Sequence, residues 1–211
     1  MKKIIFILMC FVSLGTFAQT EYGSHTLFQT KEKNIVNAYL SLDGSLTSIN
    51  GYTVGSVGAT IGVTTNHAFT IGLTGSFIFD APEDNTFVFT PPPGYETYSL
   101  RKYCGYGGIL LEPTLFPRFP FHITFPCVVG VGTIVYALQS DNYWSNYDYI
   151  LDRSWFFVFS AGARLEFNVV DGLRLSCGPS YRYIPNLEMM NTSSDMMNGF
   201  SLDFSIKIGK Y

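Results

Sequence analysis

The chain has 211 residues, of which 17% are aromatic and only 14% are charged, and its net charge at pH 7 is −3. The sequence contains no basic tract, which argues against nucleic acid as a partner. No stretch reaches ~18 consecutive apolar residues, which excludes a helical membrane protein. Low charge combined with many aromatic residues is typical of a protein whose outer surface faces lipid.

The amino terminus is predicted to be an export signal. Residues 1–18 combine Lys2 and Lys3 with an apolar run over Ile4–Val12 and small residues that end at Ala18. The apolar run is too short to span a bilayer as a helix. We therefore predict a signal peptide at 1–18, followed by a periplasmic amino-terminal segment at 19–34.

Alternation of apolar and polar residues recurs in eight later segments. A period of two predicts strands that have one apolar and one polar face. The predicted strands are Ala38–Ser48, Tyr52–Val63, Ala68–Phe79, about Tyr103–Leu115, Phe121–Ala137, Ser154–Val169, Leu173–Tyr183 and Gly199–Tyr211. Bulges or shifted strand ends are expected at Pro113, Pro126 and Pro179, because proline lacks a backbone donor.

The connections between these strands alternate in length after a tight first turn at Asn50-Gly51. Short turns are predicted at Thr64–His67, Phe116–Pro120 and Val170–Gly172, and long loops at Asp80–Lys102, Leu138–Arg153 and Ile184–Asn198. With both termini in the periplasm, all three long loops lie on the extracellular side, as outer-membrane barrels require. The predicted fold class is all-β: residues 35–211 are expected to form an eight-stranded antiparallel up-and-down transmembrane β-barrel in the outer membrane of a Gram-negative cell.

Five stretches of the chain resemble the small outer-membrane β-barrel proteins of Bacteroidota. They are INGYTVGSVGATIG, TTNHAFTIGLTGSF, YCGYGGILLEP, GPSYRY and the closing GFSLDFSIKIGK. The resemblance spans about Ile35–Tyr211 and implies an eight-stranded barrel, in a family whose members usually have no assigned activity. These motifs are architectural and carry no chemistry.

The polar faces of the predicted strands place eight charged residues inside the barrel. Eight strands enclose a space that side chains just fill, and charges buried there must pair. We therefore predict an interior salt-bridge network of four acids and four bases, formed by Asp43, Glu112, Arg164, Glu166, Arg174, Arg182, Asp203 and Lys207. Inward glycines are expected to make room for the arginines.

Catalytic chemistry is not predicted. His25 belongs to the amino-terminal segment, and His67 and His122 are expected at the periplasmic rim, so the outer rim lacks a general base. The last long loop contains four methionines without a nearby His or Cys, and we expect apolar packing rather than a metal site from Met189, Met190, Met196 and Met197. No enzymatic activity, metal or cofactor is expected.

The second long loop is the candidate interaction surface. Its aromatic residues alternate with Asn and Asp, and they are Tyr143, Trp144, Tyr147 and Tyr149. The same composition suits an aromatic belt at lipid headgroups. Three functions remain open: a structural or surface-interaction barrel, a narrow conduit for small solutes or ions, and a soluble lipocalin-like binding barrel. Expected partners are outer-membrane lipid and the barrel-assembly machinery, with an unidentified extracellular ligand.

Overall fold

The computed structural model describes residues 36–49, 52–79, 98–117, 119–140, 149–185, 187–188 and 193–209. The predicted signal peptide at 1–18 and segment at 19–34 lie outside these residues. One antiparallel sheet contains ten strands: β1 Val36–Ile49, β2 Tyr52–Thr65, β3 Phe69–Ile78, β4 Tyr98–Leu115, β5 Phe121–Thr124, β6 Cys127–Ser140, β7 Tyr149–Gly162, β8 Arg164–Val170, β9 Leu173–Tyr183 and β10 Gly199–Gly209. No helix in the described part of the chain is long and apolar enough to cross a membrane.

The ten strands make a ring of eight, because two members of the ring are interrupted. β5 and β6 lie end to end and form one of these members, and β7 and β8 form the other. The first member pairs with β4 on one side, and on its other side β5 pairs with β8 and β6 pairs with β7. β9 then pairs with both β7 and β8 and with β10. β10 pairs with β1, from Tyr39 opposite Gly209 to Thr47 opposite Ser201, and this pairing closes the ring. The predicted eight-stranded antiparallel barrel is confirmed.

The interruptions of the sheet lie at prolines. β4 pairs with β6 as far as Leu111 and with β5 from Thr114, so its partner changes beside Pro113. Pro126 lies between β5 and β6. At the break between β7 and β8, the carbonyl of Pro179 accepts a backbone hydrogen bond of 3.0 Å. Because proline gives the ladder no N–H, the regular pairing ends near these residues.

Three strands extend into segments that the sequence predicts to be loops. β4 begins at Tyr98 instead of Tyr103, within the predicted first long loop. β6 and β7 reach Ser140 and Tyr149, within the predicted loop 138–153, and pair across a register shift beside Tyr136. The backbone ladder continues beyond the point where apolar and polar residues stop alternating, so the pattern alone gives strands that are too short.

The three short connections lie at one end of the barrel, which we call the turn end; the opposite end is the loop end. Asn66 and His67 have φ angles of 53° and 58°, as a tight hairpin turn between twisted strands requires. Gly172 has a φ of 86° in the last short turn, and its carbonyl accepts a 3.0 Å hydrogen bond from Gly209 N at the end of β10. The last strand therefore ends, and the first strand begins, at the turn end.

The two faces of the sheet differ sharply in polarity. Outward side chains are apolar along every strand of the ring, and Trp155 and Phe157 each expose 64% of their surface. Inward positions near the turn end are polar, and Glu112 and Glu166 are each only 1% exposed. A soluble barrel would have the opposite arrangement, with its apolar side chains inside. The outward apolar band has the character of a surface in contact with hydrocarbon.

Candidate functional site

The interior of the barrel has three layers between its two ends. An ionic cluster fills the turn end, a small polar cavity lies in the middle, and an apolar plug fills the loop end. Each layer is built from alternate, inward residues of the strands. The chemistry available to the protein depends on what each layer holds.

The ionic cluster consists of Glu112, His122, Glu166, Arg174 and Lys207, which come from five different strands. Lys207 Nζ donates to Glu112 Oε1 and to Glu166 Oε2, both at 2.5 Å. Arg174 Nη1 donates to Glu166 Oε1 at 3.2 Å, and His122 Nε2 lies 2.8 Å from the same oxygen. All five residues are buried. Glu166 therefore joins three basic side chains into one network at the turn end.

A separate ion pair lies above the cluster, toward the middle of the barrel. Arg164 Nη2 donates to Asp203 Oδ2 at 2.8 Å. Asp43 accepts hydrogen bonds from the hydroxyls of Ser41 at 3.0 Å and Thr60 at 2.7 Å. Hydroxyl donors thus solvate this carboxylate in place of a basic side chain.

Among the predicted interior charges, Arg182 lies nearest the loop end of the barrel. Its Nε donates to the backbone carbonyl of Met197 at 2.9 Å. The structure thus brings six of the eight predicted interior residues into ion pairs. In the part of the chain that the structure describes, Asp43 and Arg182 make no ion pair, because hydroxyls and a backbone carbonyl occupy the positions next to them. For these two residues the predicted salt bridges are wrong.

His122 is a member of the ionic cluster that the sequence analysis missed. It was expected at the periplasmic rim, and it does lie in the short β5 next to a turn, but its side chain points inward and is buried. The alternation Phe121, His122, Ile123, Thr124 carries this signal, since Phe121 and Ile123 face outward. By contrast His67 lies in the turn itself, where burial and the nearby charge of Arg174 lower its pKa.

The polar cavity in the middle of the barrel has a volume of about 60 Å³. Most of its wall consists of serine and threonine hydroxyls and glycine backbone, with Tyr106, Leu110 and Val128 on one side. Four charged residues also line it: Asp43, Arg164, Arg182 and Asp203. A water molecule needs roughly 10 to 15 Å³ of such space. The cavity therefore has room for a few water molecules or a small ion and not for an organic substrate.

The apolar plug closes the loop end of the barrel. Ile184, Leu187, Met196 and Met197 of the connection between β9 and β10 are buried among inward side chains of the strands. These strand residues are Ile49, Val54, Ile78, Cys104, Ile134, Tyr136, Phe156 and Val158. Apolar packing was expected of the loop methionines, and Met197 is fully buried, while Met189 and Met190 lie outside the described residues.

The plug adds an apolar layer to an interior for which the sequence predicted only a salt-bridge network. In the segment Trp155–Phe159, Phe156 and Val158 face inward between outward aromatic residues. Both faces of the sheet are apolar there. The loop covers those inward apolar side chains, which removes them from water.

The inward glycines have a different role from the expected one. The ring of Tyr39 lies against Gly62, where an added Cβ would come within 2.6 Å of it, and the ring of Phe156 covers Gly132 in the same way. Gly108 and Gly130 face one another in register and allow close backbone approach. The glycines therefore make room for aromatic rings and for neighbouring backbone instead of for arginines.

The predicted interaction surface lies mostly outside the described residues. Tyr143, Trp144 and Tyr147 fall in 141–148, and Tyr149 belongs to β7 instead of the loop, because it pairs with Leu138. In the last connection, the Ser193 hydroxyl donates to the Asp195 carboxylate and lowers its pKa. No group of three or more His, Cys, Asp or Glu side chains that could hold a metal occurs among the described residues.

The fold is similar to those of several solved outer-membrane proteins. The N-terminal β-barrel domain of Pseudomonas aeruginosa OprF is 8% identical, covers 84% of this chain and 99% of its own, and has a TM-score of 0.51. A major outer membrane protein from Thermus thermophilus is 11% identical, with coverages of 82% and 99% and a TM-score of 0.51. The chain therefore has the fold of the small outer-membrane β-barrels.

Comparisons at the level of sequence give no relatives. No protein-family model matches the chain, and no curated protein matches it. The likeness to solved structures thus concerns the fold alone.

Proposed function

We propose that this protein is an integral outer-membrane barrel with a structural, side-chain-filled interior, and that it acts through surface interactions at its loop end. The observation that carries the proposal is the combination of an apolar outward band with an interior closed by packed side chains. An outward band of this kind is stable in hydrocarbon and unstable in water. The fold of the solved outer-membrane barrels supports the same placement.

The closed interior favours an interaction role over a conduit. A path for solutes would have to cross both the apolar plug, where Met197 and Ile134 are fully buried, and the ionic cluster below it. An eight-stranded ring leaves little space beyond what its side chains fill. The soluble lipocalin-like alternative needs an apolar interior and a polar exterior, which is the reverse of the observed facing.

A role without catalysis is part of the proposal. His122 is buried against Glu166, so it does not reach a substrate at either rim. The polar cavity is too small for an organic substrate, and its walls are mainly hydroxyls and backbone. General-base chemistry requires a base within hydrogen-bond reach of its substrate, and these residues do not provide one.

The residues at 1–18 support cleavage of a signal peptide and export to the outer membrane of a Gram-negative cell. Outer-membrane lipid would cover the apolar band, and the barrel-assembly machinery would act during insertion. The five stretches quoted above support membership of the small Bacteroidota barrels. The long loops would supply the surface for an extracellular ligand.

Surface labelling of intact cells tests this placement. A tag inserted at Ser193, in an exposed part of the last long connection, is expected to be labelled from outside. Matched tags at Asn66 and Asp171, both in short turns at the turn end, are expected to be labelled only after the cells are lysed. The reason is that outer-membrane barrels have short periplasmic turns. Labelling of Asp171 and not of Ser193 on intact cells would show that the orientation is inverted.

A further inference from the structure

Arg182 is a buried cation that forms no ion pair with any acidic residue that the structure describes. The residue is 2% exposed, and its Nε is satisfied by the carbonyl of Met197. Its Nη2 is also buried and has no hydrogen-bond partner among the described residues. An isolated charge in a low-dielectric interior is strongly unfavourable unless a counter-charge compensates it. The guanidinium lines the polar cavity, which is where such a counter-charge has space.

Two carboxylates, those of Asp43 and Asp203, line the same cavity. Arg182 on β9 lies opposite Gly199 of β10, and Asp203 is four residues further along β10, so the backbones of Arg182 and Asp203 are roughly 13 Å apart along the strands. Asp203 is already bound to Arg164, and Asp43 is held by the hydroxyls of Ser41 and Thr60. Both carboxylates thus have partners of their own, and among the described residues neither forms an ion pair with Arg182.

Serine hydroxyls lie beside Arg182 at the cavity wall. Ser160 lies directly opposite Arg182 on β7, and Ser180 is two residues before Arg182 on the same face of β9. Both residues line the cavity, whereas the hydroxyl of Ser201, which also lines it, donates to Thr47 Oγ1 at 2.7 Å. A guanidinium N–H and serine O–H groups are donors that suit an anion. A space of about 60 Å³ admits an ion the size of chloride with a few water molecules.

We propose that the polar cavity binds a small monovalent anion of chloride size, held by Arg182 with help from the serine hydroxyls. The ion neutralises the guanidinium and fixes it under the apolar plug, to which Arg182 is joined through Met197. The anion is thus a structural part of the closed barrel and links the middle layer of the interior to the loop end.

Anion-dependent stability tests the proposal on the purified full-length barrel, refolded in a neutral detergent. Unfolding by urea is measured in sodium chloride, sodium bromide and sodium gluconate at equal ionic strength. Chloride and bromide are expected to raise the urea midpoint in a saturable way, by about 0.5 to 1 M at a concentration ten times Kd. Gluconate is too large for the cavity and is expected to have no such effect.

Two variants test whether Arg182 is responsible for the halide dependence of the urea midpoint. Arg182→Gln is expected to abolish the halide dependence. Arg153→Gln is the matched control and is expected to keep it, because Arg153 lies on the exposed outer face over Trp155. Equal midpoints in chloride and gluconate for the unmodified protein would overturn the proposal, and would mean that Asp43 compensates Arg182 through water. The same halide shift in Arg182→Gln would overturn it as well.

Crystals grown in sodium bromide provide a test that does not depend on a variant that folds. Anomalous scattering is expected to place a bromide at hydrogen-bond distance from the Arg182 guanidinium. A cavity without a bromide peak at saturating concentration would contradict the proposal even if Arg182→Gln failed to refold.

Discussion

Lys207→Met is expected to lower the free energy of unfolding by about 3 to 5 kcal/mol, the usual cost of removing one partner of a buried ion pair. Lys207 Nζ lies 2.5 Å from oxygens of both Glu112 and Glu166. Without it, Glu166 keeps Arg174 and His122, but Glu112 keeps no basic partner among the described residues. Urea titration of the refolded barrel measures the loss.

The double variant Glu112→Gln with Lys207→Met is the control for this prediction. It removes the stranded carboxylate together with the lysine, and leaves Glu166 with its two other partners. Much of the lost stability should return, since the penalty of a broken pair comes mainly from the charge left behind. Equal losses in the single and double variants would mean that Lys207 contributes through packing instead of charge.

Phe157→Arg is expected to destabilise the barrel in a bilayer by about 2 to 4 kcal/mol, the cost of an arginine on the lipid face near the midplane. Phe157 lies in the interior of β7 and points outward, with 64% of its surface exposed. Unfolding of the variant should be measured in lipid vesicles, because the penalty arises from placing the arginine charge in hydrocarbon.

Phe119→Arg is the matched control, because it places the same new charge at the turn end. Phe119 is also exposed, at 56%, but lies in the short connection before β5. Arginine near the interface costs only about 0 to 1 kcal/mol. If the two variants were destabilised equally, or not at all, the outward face would not lie in hydrocarbon.

Much of the fold follows from the sequence because a barrel strand repeats its facing every second residue. β10 is the clearest case: its outward Phe204 and Ile206 and its inward Asp203 and Lys207 have the facing that the alternation predicts. The ends of the strands were harder to predict from the sequence. β6 and β7 continue past the alternating residues, since backbone pairing does not require a two-sided pattern.

The interior shows where the sequence stops being informative. The facing of Arg182 follows from its position on β9, but its distance from every carboxylate depends on how neighbouring strands are staggered. The alternation could have placed His122 inside, since it lies between two outward residues. The plug could not be predicted, because the alternation of β7 does not reveal that a later loop covers Phe156 and Val158.

Cell fractionation tests the central claim most directly. The mature protein should be recovered with the outer membrane, resist extraction by alkaline carbonate, and migrate faster on gels when unheated, since a closed barrel stays folded in detergent. Recovery in the soluble periplasmic fraction, with migration that heating does not change, would contradict an integral outer-membrane barrel.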